Sequence, residues 1–472
     1  MREDTRSGIA AAMRLAEGVA LREAVGAGGP GDWLALDQGV REAAWRYGLR
    51  LLPEPPSVDP AHPAESRLAL ALCHGDGRIR EKAVRSSARY PGLLPLVVIR
   101  AADWAEPVRE RARELLREAL DLEAAIALAP LILSVGRRDR GAFGVGLLGA
   151  VLRPAPLGRL SALLADPDRA VRRFTYRLAV EQRLLGPVQL ARAAARDGDT
   201  VVQDLCVTAA LAARPGEDVD KDVPDEVLTP LLTARNPRTR AAGVTVLRRA
   251  GRARQAQSFL TDRSALVRAC ARYVVRQLGG HPAGWYRERC TAAGPDLPPG
   301  AVIGLAECGE RTDGELLRPL LAHPVPGVRA QAVAGLRALD LTDTERLRPL
   351  LEDPSPGVVR QTALALLPSA PDLPADWLLG HTDLKWPRHV RIAAFRLLNA
   401  RGGVVALRAA VGLLDDPDVK LRTWAGQSVQ RWRPSAEVPR GDAEVGELLD
   451  RSRHLFSEYV LRRRKWEAGL AG

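Results

Sequence analysis

A phrase of about 31 residues recurs along this 472-residue chain. Three well-preserved copies are LLAHPVPGVRAQAVAGL, LLEDPSPGVVRQTALALL and LLDDPDVKLRTWAGQSV, which begin at Leu320, Leu350 and Leu413. Aligning the copies on the arginine that follows the turn gives the positions Arg80, Arg109, Arg172, Arg240, Arg268, Arg329, Arg360, Arg391 and Arg422. A repeat of this length predicts stacked supersecondary units rather than one globular core.

Each copy has the side-chain spacing of a helix that packs on one face. The residue before the aligned arginine is aliphatic, the third residue after it is small and the seventh is aliphatic, as in Val328, Ala332 and Leu336. These offsets share one face of a helix. A shorter helix that ends in a Leu-Leu pair precedes each turn, and prolines such as Pro319 and Pro349 should kink it. Since no alternating strand pattern persists, the sequence predicts an all-α fold of about twelve helical hairpins.

Together with LLADPDRAVRRFTYRLA from Leu163, these phrases resemble the short bacterial HEAT-like repeats of the phycobilisome-lyase type, over residues 64–433. The resemblance implies a right-handed α-solenoid whose second helices line a concave face. It also implies that aspartates of the turns and the aligned arginines form structural ladders between neighbouring repeats, here Asp166, Asp353, Asp416, Arg172, Arg329, Arg360, Arg391 and Arg422. Asp353 and Arg360 are seven residues apart, whereas the other pairs are separated by six. The family implies no single activity.

The sequence also predicts how the chain is organised around the repeats. Residues 1–52 are expected to form a helical cap, and the segment PEPPSVDPAHP at 53–63 is expected to be a linker. The repeats occupy residues 64–433, with a weak unit near 281–308 that is a candidate hinge. Residues 434–472 are expected to supply a polar segment and a C-terminal capping helix.

Composition bounds the class of partner. The net charge of +12 favours acidic partners, including nucleic acid. However, only five of the 69 basic residues are lysines, which is the bias of a GC-rich genome and weakens that inference. The five cysteines form no CxxC pair, which argues against a zinc site or a disulfide framework and indicates a cytoplasmic protein. The chain shows no signal peptide and no apolar run of the roughly 20 residues that a membrane span needs.

The residues reveal no catalytic, cofactor-binding or metal-binding motif. No HExxH, GxxxxGK[ST] or GxSxG pattern occurs, so neither a cofactor nor a small-molecule substrate is indicated. Three histidines, His74, His323 and His381, occupy the aspartate position of the turn and are expected to replace it structurally. A glycosylase-like or lyase-accessory role is a less favoured alternative, and the late tryptophans, including Trp424 near the expected concave edge, are its main support.

A second set of arginines recurs five or eight residues after the aligned one. By the geometry of the family these side chains would point into the concave groove, and with Trp424 they are the predicted binding residues: Arg85, Arg117, Arg177, Arg248, Arg276, Arg337 and Arg396. Two interpretations stay open, a functional anion-binding row and arginines that merely solvate exposed helices. The sequence thus favours a non-enzymatic scaffold that binds a protein or peptide with an acidic surface, and the alternative is a nucleic-acid binder that uses the arginine row.

Overall fold

The computed structural model describes five stretches of the chain, residues 2–26, 28–47, 64–212, 223–435 and 437–470. Within these stretches all regular structure is helical and no strand occurs, so the predicted all-α fold is confirmed. The described residues divide into two compact units, one up to Thr239 and one from Arg240 onward. The predicted linker at 53–63 lies outside the described residues.

The first unit starts with three helices, α1 (Arg2–Ala16), α2 (Leu21–Val25) and α3 (Pro30–Tyr47). Pairs of helices follow, each with a first and a second member. They are α4 (Ala64–Leu72) and α5 (Gly77–Ser87), α6 (Leu94–Arg100) and α7 (Glu106–Ala119), α8 (Leu122–Val135) and α9 (Ala142–Leu152), α10 (Leu157–Leu164) and α11 (Arg169–Glu181), and α12 (Pro187–Arg196) and α13 (Thr200–Leu211). The unit also contains the next first helix, α14 (Asp225–Leu232).

The second unit starts inside α15 (Pro237–Val246) and continues the alternation. Its helices are α16 (Ala253–Ser258) and α17 (Ala265–Gln277), α18 (Pro282–Ala292) and α19 (Pro299–Cys308), α20 (Gly314–Leu317) and α21 (Pro326–Ala338), α22 (Thr344–Leu347) and α23 (Pro356–Leu366), α24 (Ala375–Gly380) and α25 (Arg388–Arg401), α26 (Gly403–Gly412) and α27 (Val419–Arg431), and finally α28 (Ala443–Arg451) and α29 (Glu458–Glu467). In chain order, α4 to α27 alternate twelve first helices with twelve second helices, in line with the predicted repeat of about twelve units. The handedness of the stack stays a prediction.

The expected helix face is buried in the second helices. In α21, which starts with Pro326 at its first position, Val328 and Ala332 are fully buried and Leu336 is 3% exposed. Successive second helices pack side by side through such faces, as α5 does with α7 and α21 with α23. Burial of this kind stabilises a domain by about 1.5–3 kcal/mol for each large aliphatic side chain.

Prolines reshape some of the first helices. The α-helical turns of α20 and α22 give way to 3₁₀ turns at Pro319–Ala322 and Arg348–Glu352, because a proline cannot donate the backbone hydrogen bond of an α-helix. Further 3₁₀ turns lie at Pro91–Leu93, Phe259–Thr261, Arg311–Asp313, Leu367–Asp372 and Arg453–Leu455. By contrast, α14 continues through Pro230.

The N-terminal helices share the hydrophobic core of the first unit. Helix α1 packs along α3, and the two meet at Gly8 and Gly39, where a Cβ atom on Gly39 would overlap the backbone of Gly8. Helix α1 also contacts α4, while α3 contacts α6 and α8. A capping role for residues 1–52 stays a prediction, and residues 48–52 lie outside the described part.

Helix α28 packs onto the core of the second unit through Val445, Leu448 and Leu449, and Leu461 of α29 packs against the same core. Arg464 in α29 is 7% exposed and donates to the carbonyl oxygens of Gln430 at 2.7 Å and Trp432 at 2.9 Å. These carbonyls belong to the end of α27, where the helix leaves its acceptors unsatisfied. Arg464 therefore ties the C-terminal helix to the last repeat, which agrees with the capping role that we still treat as a proposal for residues 434–472.

Candidate interaction surface and the ladder between repeats

A side-chain acceptor closes most of the turns between first and second helices. Asp353 is typical, since its Oδ1 accepts the backbone N–H of Ser355, two residues later, at 2.8 Å. His74 and His323 do the same through Nδ1, at 2.9 and 3.1 Å. His381 does not replace the aspartate in this way. Its ring stacks on Trp386, and its Nδ1 and Nε2 lie 2.7 Å from the Trp377 carbonyl oxygen and 2.9 Å from the Glu352 carboxylate.

An arginine six residues after the turn acceptor connects consecutive repeats. Arg172 donates from Nη1 to the carbonyl oxygen of Asp166 in its own turn, at 2.8 Å. Its Nε and Nη2 donate to both carboxylate oxygens of Asp197 in the next turn, at 2.9 and 3.2 Å. Arg329 makes the equivalent bonds to His323 and Asp353, and the pair Arg240–Asp262 bridges the next turn in the same way. In these copies the ladder fastens one turn to the following one.

Other predicted ladder residues take only part of this role. Arg391 pairs with Asp416, and both side chains are buried. Arg422 donates to the carbonyl oxygen of Asp416 in its own turn and makes no ion pair among the described residues. The Asp166 carboxylate accepts the N–H of Asp168 at 2.7 Å, but no arginine of the described chain bonds to it.

Arg360 is expected in the ladder and does not join it. The turn sets the register, and the residue six positions after Asp353 is Val359, which is 1% exposed. Arg360 comes one residue later, so it is rotated by about 100° around the helix and is exposed. In place of an arginine, Nε2 of His389 lies 3.3 Å from the Asp353 carbonyl oxygen. The extra residue in this copy thus removes one rung.

The weak unit near 281–308 contains a rung that the repeat frame does not reveal. Glu307, on helix α19 rather than in a turn, accepts from Arg268 and Arg272. In the same unit Tyr286 is fully buried and donates from its hydroxyl to the Leu260 carbonyl oxygen at 2.7 Å. The ring of Tyr286 packs closely against Gly304, where an added Cβ atom would lie 2.5 Å from the ring. The sequence shows the tyrosine but does not reveal this contact.

Six of the seven predicted arginines lie on second helices, and Arg248 lies in the turn just after α15. Arg85 pairs with Glu81 at 2.5 Å, and the guanidinium of Arg117 lies over the ring of Phe143 at 4.7 Å. The other five side chains make no hydrogen bond or ion pair within the part of the chain that the structure describes, and only Arg396 is half-buried: Arg177, Arg248, Arg276, Arg337 and Arg396. Arg177 belongs to the first unit with Arg85 and Arg117, and the remaining four belong to the second.

Trp424, the predicted aromatic of the groove, packs inward. It is half-buried, and its ring meets that of Phe395 edge to face with centroids 4.6 Å apart. A different aromatic lies beside the row. Tyr273 is 43% exposed and precedes Arg276 by three residues on α17, so the two share a helix face. The spacing of Tyr273 and Arg276 can be read from the sequence, but the exposure of Tyr273 is visible only in the structure.

Two kinds of feature are absent from the described residues. Across them, no group of three or more His, Cys, Asp and Glu side chains is arranged to hold a metal ion. A separate search of the same helices finds none that is both long enough and apolar enough to cross a bilayer.

No protein-family model matches the chain, and neither does any curated protein. Similar solved structures include Kap95p, which binds RanGDP, with 11% identity over 95% of this chain and 77% of that chain and a TM-score of 0.31. Importin beta is similar with 13% identity over 91% of this chain and 65% of that chain and a TM-score of 0.30. A third similar structure comes from microtubule polymerases with TOG domain arrays that recruit tubulin, with 12% identity over 84% of this chain and 98% of that chain and a TM-score of 0.23. All three TM-scores lie below 0.5, so the assignment of stacked helical repeats depends on this chain's own helices. The finer resemblance to lyase-type repeats stays a prediction.

Proposed function

We propose that the chain is a non-enzymatic scaffold that binds an acidic segment of a protein partner on the second helices of the second unit. The observation that supports this most strongly is the contrast between two classes of arginine. Ladder arginines such as Arg329 are engaged by carboxylates, whereas Arg248, Arg276 and Arg337 carry exposed guanidinium groups without a partner among the described residues. Exposed cations without partners favour an anionic ligand.

The chemistry of this surface suits a peptide or protein. Arginine presents a planar fork that carboxylates accept in bidentate geometry, and arginine with tyrosine is the combination enriched at the centres of protein interfaces. Tyr273 and Arg276 supply that combination on one face of α17. In the repeat that contains Arg360, the two positions of the arginine row are occupied by Ala365 and Pro368. A partner would therefore contact that repeat through shape and not through charge.

A charge-matched comparison tests the proposal. The triple variant R248Q/R276Q/R337Q removes three unpaired cations from the proposed surface. The control variant R440Q/R451Q/R453Q removes three exposed cations of the same unit that lie outside its second helices and make no side-chain hydrogen bond or ion pair among the described residues. The probe is a fluorescent 20-residue peptide rich in glutamate, measured by anisotropy. We expect the first variant to bind about tenfold or more weakly and the control to change less than about twofold. Equal losses in both variants would mean that the peptide responds to net charge alone.

A second candidate function, binding of single-stranded nucleic acid, is favoured by helix α29. Tyr459 and Trp466 are 70% and 72% exposed and lie seven residues apart, which places them on one helix face. Arg462 lies between them without a partner in the described chain, and Arg463 pairs with Glu467 at 2.9 Å. Aromatic rings that alternate with arginines stack on bases while the cations contact phosphates.

Binding of a 20-nucleotide single strand would test this candidate. Stacking is worth about 1–3 kcal/mol for each base, so Tyr459→Ala and Trp466→Ala should each weaken binding at least about fivefold. Trp45→Ala is the control, because Trp45 is 81% exposed in the other unit. Affinity should also fall by about one logarithmic unit per decade of salt for each phosphate contacted. A protein that shows no salt-sensitive binding of either single strand or duplex lacks this function.

A further inference from the structure

The first unit contains a cavity of about 660 Å³ beside helix α3. Asp37, Gln38, Arg41 and Glu42 line it from α3, and Arg138 lines it from the loop between α8 and α9. Its volume lies within the range of about 300–1,000 Å³ that is typical of sites for small molecules. The cavity belongs to neither of the surfaces discussed above.

A buried carboxylate forms the floor of the cavity. The Asp37 side chain is 4% exposed, and its Oδ1 accepts from Nη2 of Arg41 at 2.5 Å and from Arg100. Arg100 also donates to Asp103 at 2.9 Å, and Asp103 in turn accepts two hydrogen bonds from the buried Arg80. The carboxylates of Asp37 and Asp103 therefore already accept hydrogen bonds from three arginines.

Arg138 is the fourth arginine, and it is left with little compensation. Its Nη1 is 4.0 Å from Oδ2 of Asp37, beyond hydrogen-bond distance, and it makes no hydrogen bond among the described residues. Burial lowers the pKa of Arg138, the Asp37 charge opposes that change, and the positive charges of Arg100 and Arg41 add to the lowering. Glu42 adds a further acidic side chain to the cavity wall.

One neighbouring cation, Arg100, also has a nitrogen without an acceptor. Nε of Arg100 is buried and has no hydrogen-bond partner in the described structure. Arg41 and Arg138 keep 38% and 43% of their side chains exposed, so their guanidinium groups remain accessible from the cavity. A ligand that brings negative charge and acceptor oxygens would give Arg138 the acceptors that it lacks, because guanidinium groups bind oxyanions through charge-assisted hydrogen bonds.

We propose that this cavity binds a small organic oxyanion, held between the guanidinium groups of Arg41 and Arg138 and the amide of Gln38. Guanidinium groups recognise phosphate and carboxylate through the same bidentate geometry, so the shared chemistry is that of a phosphate ester or a di- or tricarboxylate. The volume beyond the anionic group accommodates the organic part of the ligand. This site is independent of the peptide-binding surface of the second unit.

Titration calorimetry on the full chain tests the site, with inorganic phosphate and citrate as separate probes at constant ionic strength. We expect one or both to bind with millimolar or tighter affinity. Binding of phosphate alone identifies a phosphate ester, binding of citrate alone identifies a carboxylate, and binding of both identifies a general oxyanion site. If neither probe binds, the proposal is wrong.

The matched variants are Arg138→Ala and Arg137→Ala, which remove adjacent exposed arginines of one loop. Of these two arginines, Arg138 lines the cavity and Arg137 is not among the described lining residues. Arg138→Ala should therefore weaken binding about tenfold, whereas Arg137→Ala should change it less than about twofold. Arg138→Lys should retain part of the affinity, since it keeps the charge and loses the fork. Equal losses in the Arg137→Ala and Arg138→Ala variants would overturn the assignment. Circular dichroism of each variant establishes that it is folded.

Discussion

Arg329 and Asp353 form a bidentate ion pair between consecutive repeats, with Nε donating to Oδ2 at 2.8 Å and Nη2 donating to Oδ1 at 2.9 Å. The Asp353 side chain is 6% exposed and the Arg329 side chain 13%. Burial alone would raise the pKa of Asp353, but the hydrogen bonds from Arg329 and from the Ser355 N–H outweigh it and hold the pKa below its usual value. The pair therefore exists as charged groups at neutral pH and fixes the spacing of two turns.

Removing the arginine of this pair should destabilise the protein. Arg329→Met leaves the buried Asp353 carboxylate without its main partner, and we expect a loss of about 2–3 kcal/mol in the free energy of unfolding. Arg360→Met is the control, because Arg360 is exposed and makes no ion pair in the described chain. Its effect should stay within about 0.5 kcal/mol. Urea unfolding followed by circular dichroism measures both, and similar losses would remove the distinction between ladder and surface arginines.

The sequence was sufficient to predict the fold because the repeat constrains packing through a few columns. Val328, Ala332 and Leu336 are buried as their spacing requires, and the turn acceptors close their turns. Periodicity reports which face of a helix is apolar, and stacking neighbours bury that face in every repeat. These features are local, so one chain is enough to recognise them.

The rest depended on register and on contacts between residues far apart in the chain. Arg360 matches the aligned column by letter, yet its turn places Val359 in the ladder position. Glu307 supplies a ladder carboxylate from a helix, 39 residues after Arg268, where no turn motif announces it. Tertiary neighbours likewise determine which exposed arginines lack a partner, and the amino-acid composition does not reveal those neighbours.

Glycine substitutions should have opposite effects at two helical positions. A Cβ atom on Gly304 of α19 would lie 2.5 Å from the ring of the buried Tyr286, whereas one on Gly146 of α9 would meet nothing within 4 Å. Gly304→Ala should therefore destabilise the protein by about 1–3 kcal/mol through overpacking. Gly146→Ala should stabilise it by about 0.5–1 kcal/mol, because alanine favours the helix. Thermal unfolding compares the two, and a stabilising Gly304→Ala would contradict the packing around Tyr286.

The five free cysteines should react at very different rates. Burial, with a smaller contribution from the Asp197 charge, raises the pKa of Cys206 to about 12, and burial with the Asp313 charge raises the pKa of Cys290 to about 11. Burial also raises the pKa of Cys73. Since the thiolate is the nucleophile and must be accessible, N-ethylmaleimide at pH 7.5 should modify the two partly exposed cysteines, Cys270 and Cys308, before the three buried ones. Mass spectrometry of a time course measures this order, and rapid modification of Cys206 in the folded protein would refute it.

Stability should decrease in acid in part because of Asp199, the N-cap of α13. Hydrogen bonds from Arg173, at 2.7 and 2.8 Å, are the main reason that the pKa of Asp199 falls to about 2, and the N–H groups of Val201 and Val202 lower it further against the effect of burial. An unfolded aspartate has a pKa of about 3.9, so the unfolded state takes up the proton first as pH falls. The stabilisation is therefore complete above about pH 5 and is lost as the pH falls toward 2.

The substitution Asp199→Asn isolates this contribution, because asparagine retains an N-cap acceptor and cannot ionise. At pH 7 the variant should be less stable by about 1–2 kcal/mol, a range that allows for solvent screening at Arg173, whose side chain is 36% exposed. The difference should shrink as the pH is lowered from 5 to 2.5. Urea midpoints for both proteins at four pH values in this range measure the trend. An undiminished difference at pH 2.5 would show that the charge of Asp199 is not its source.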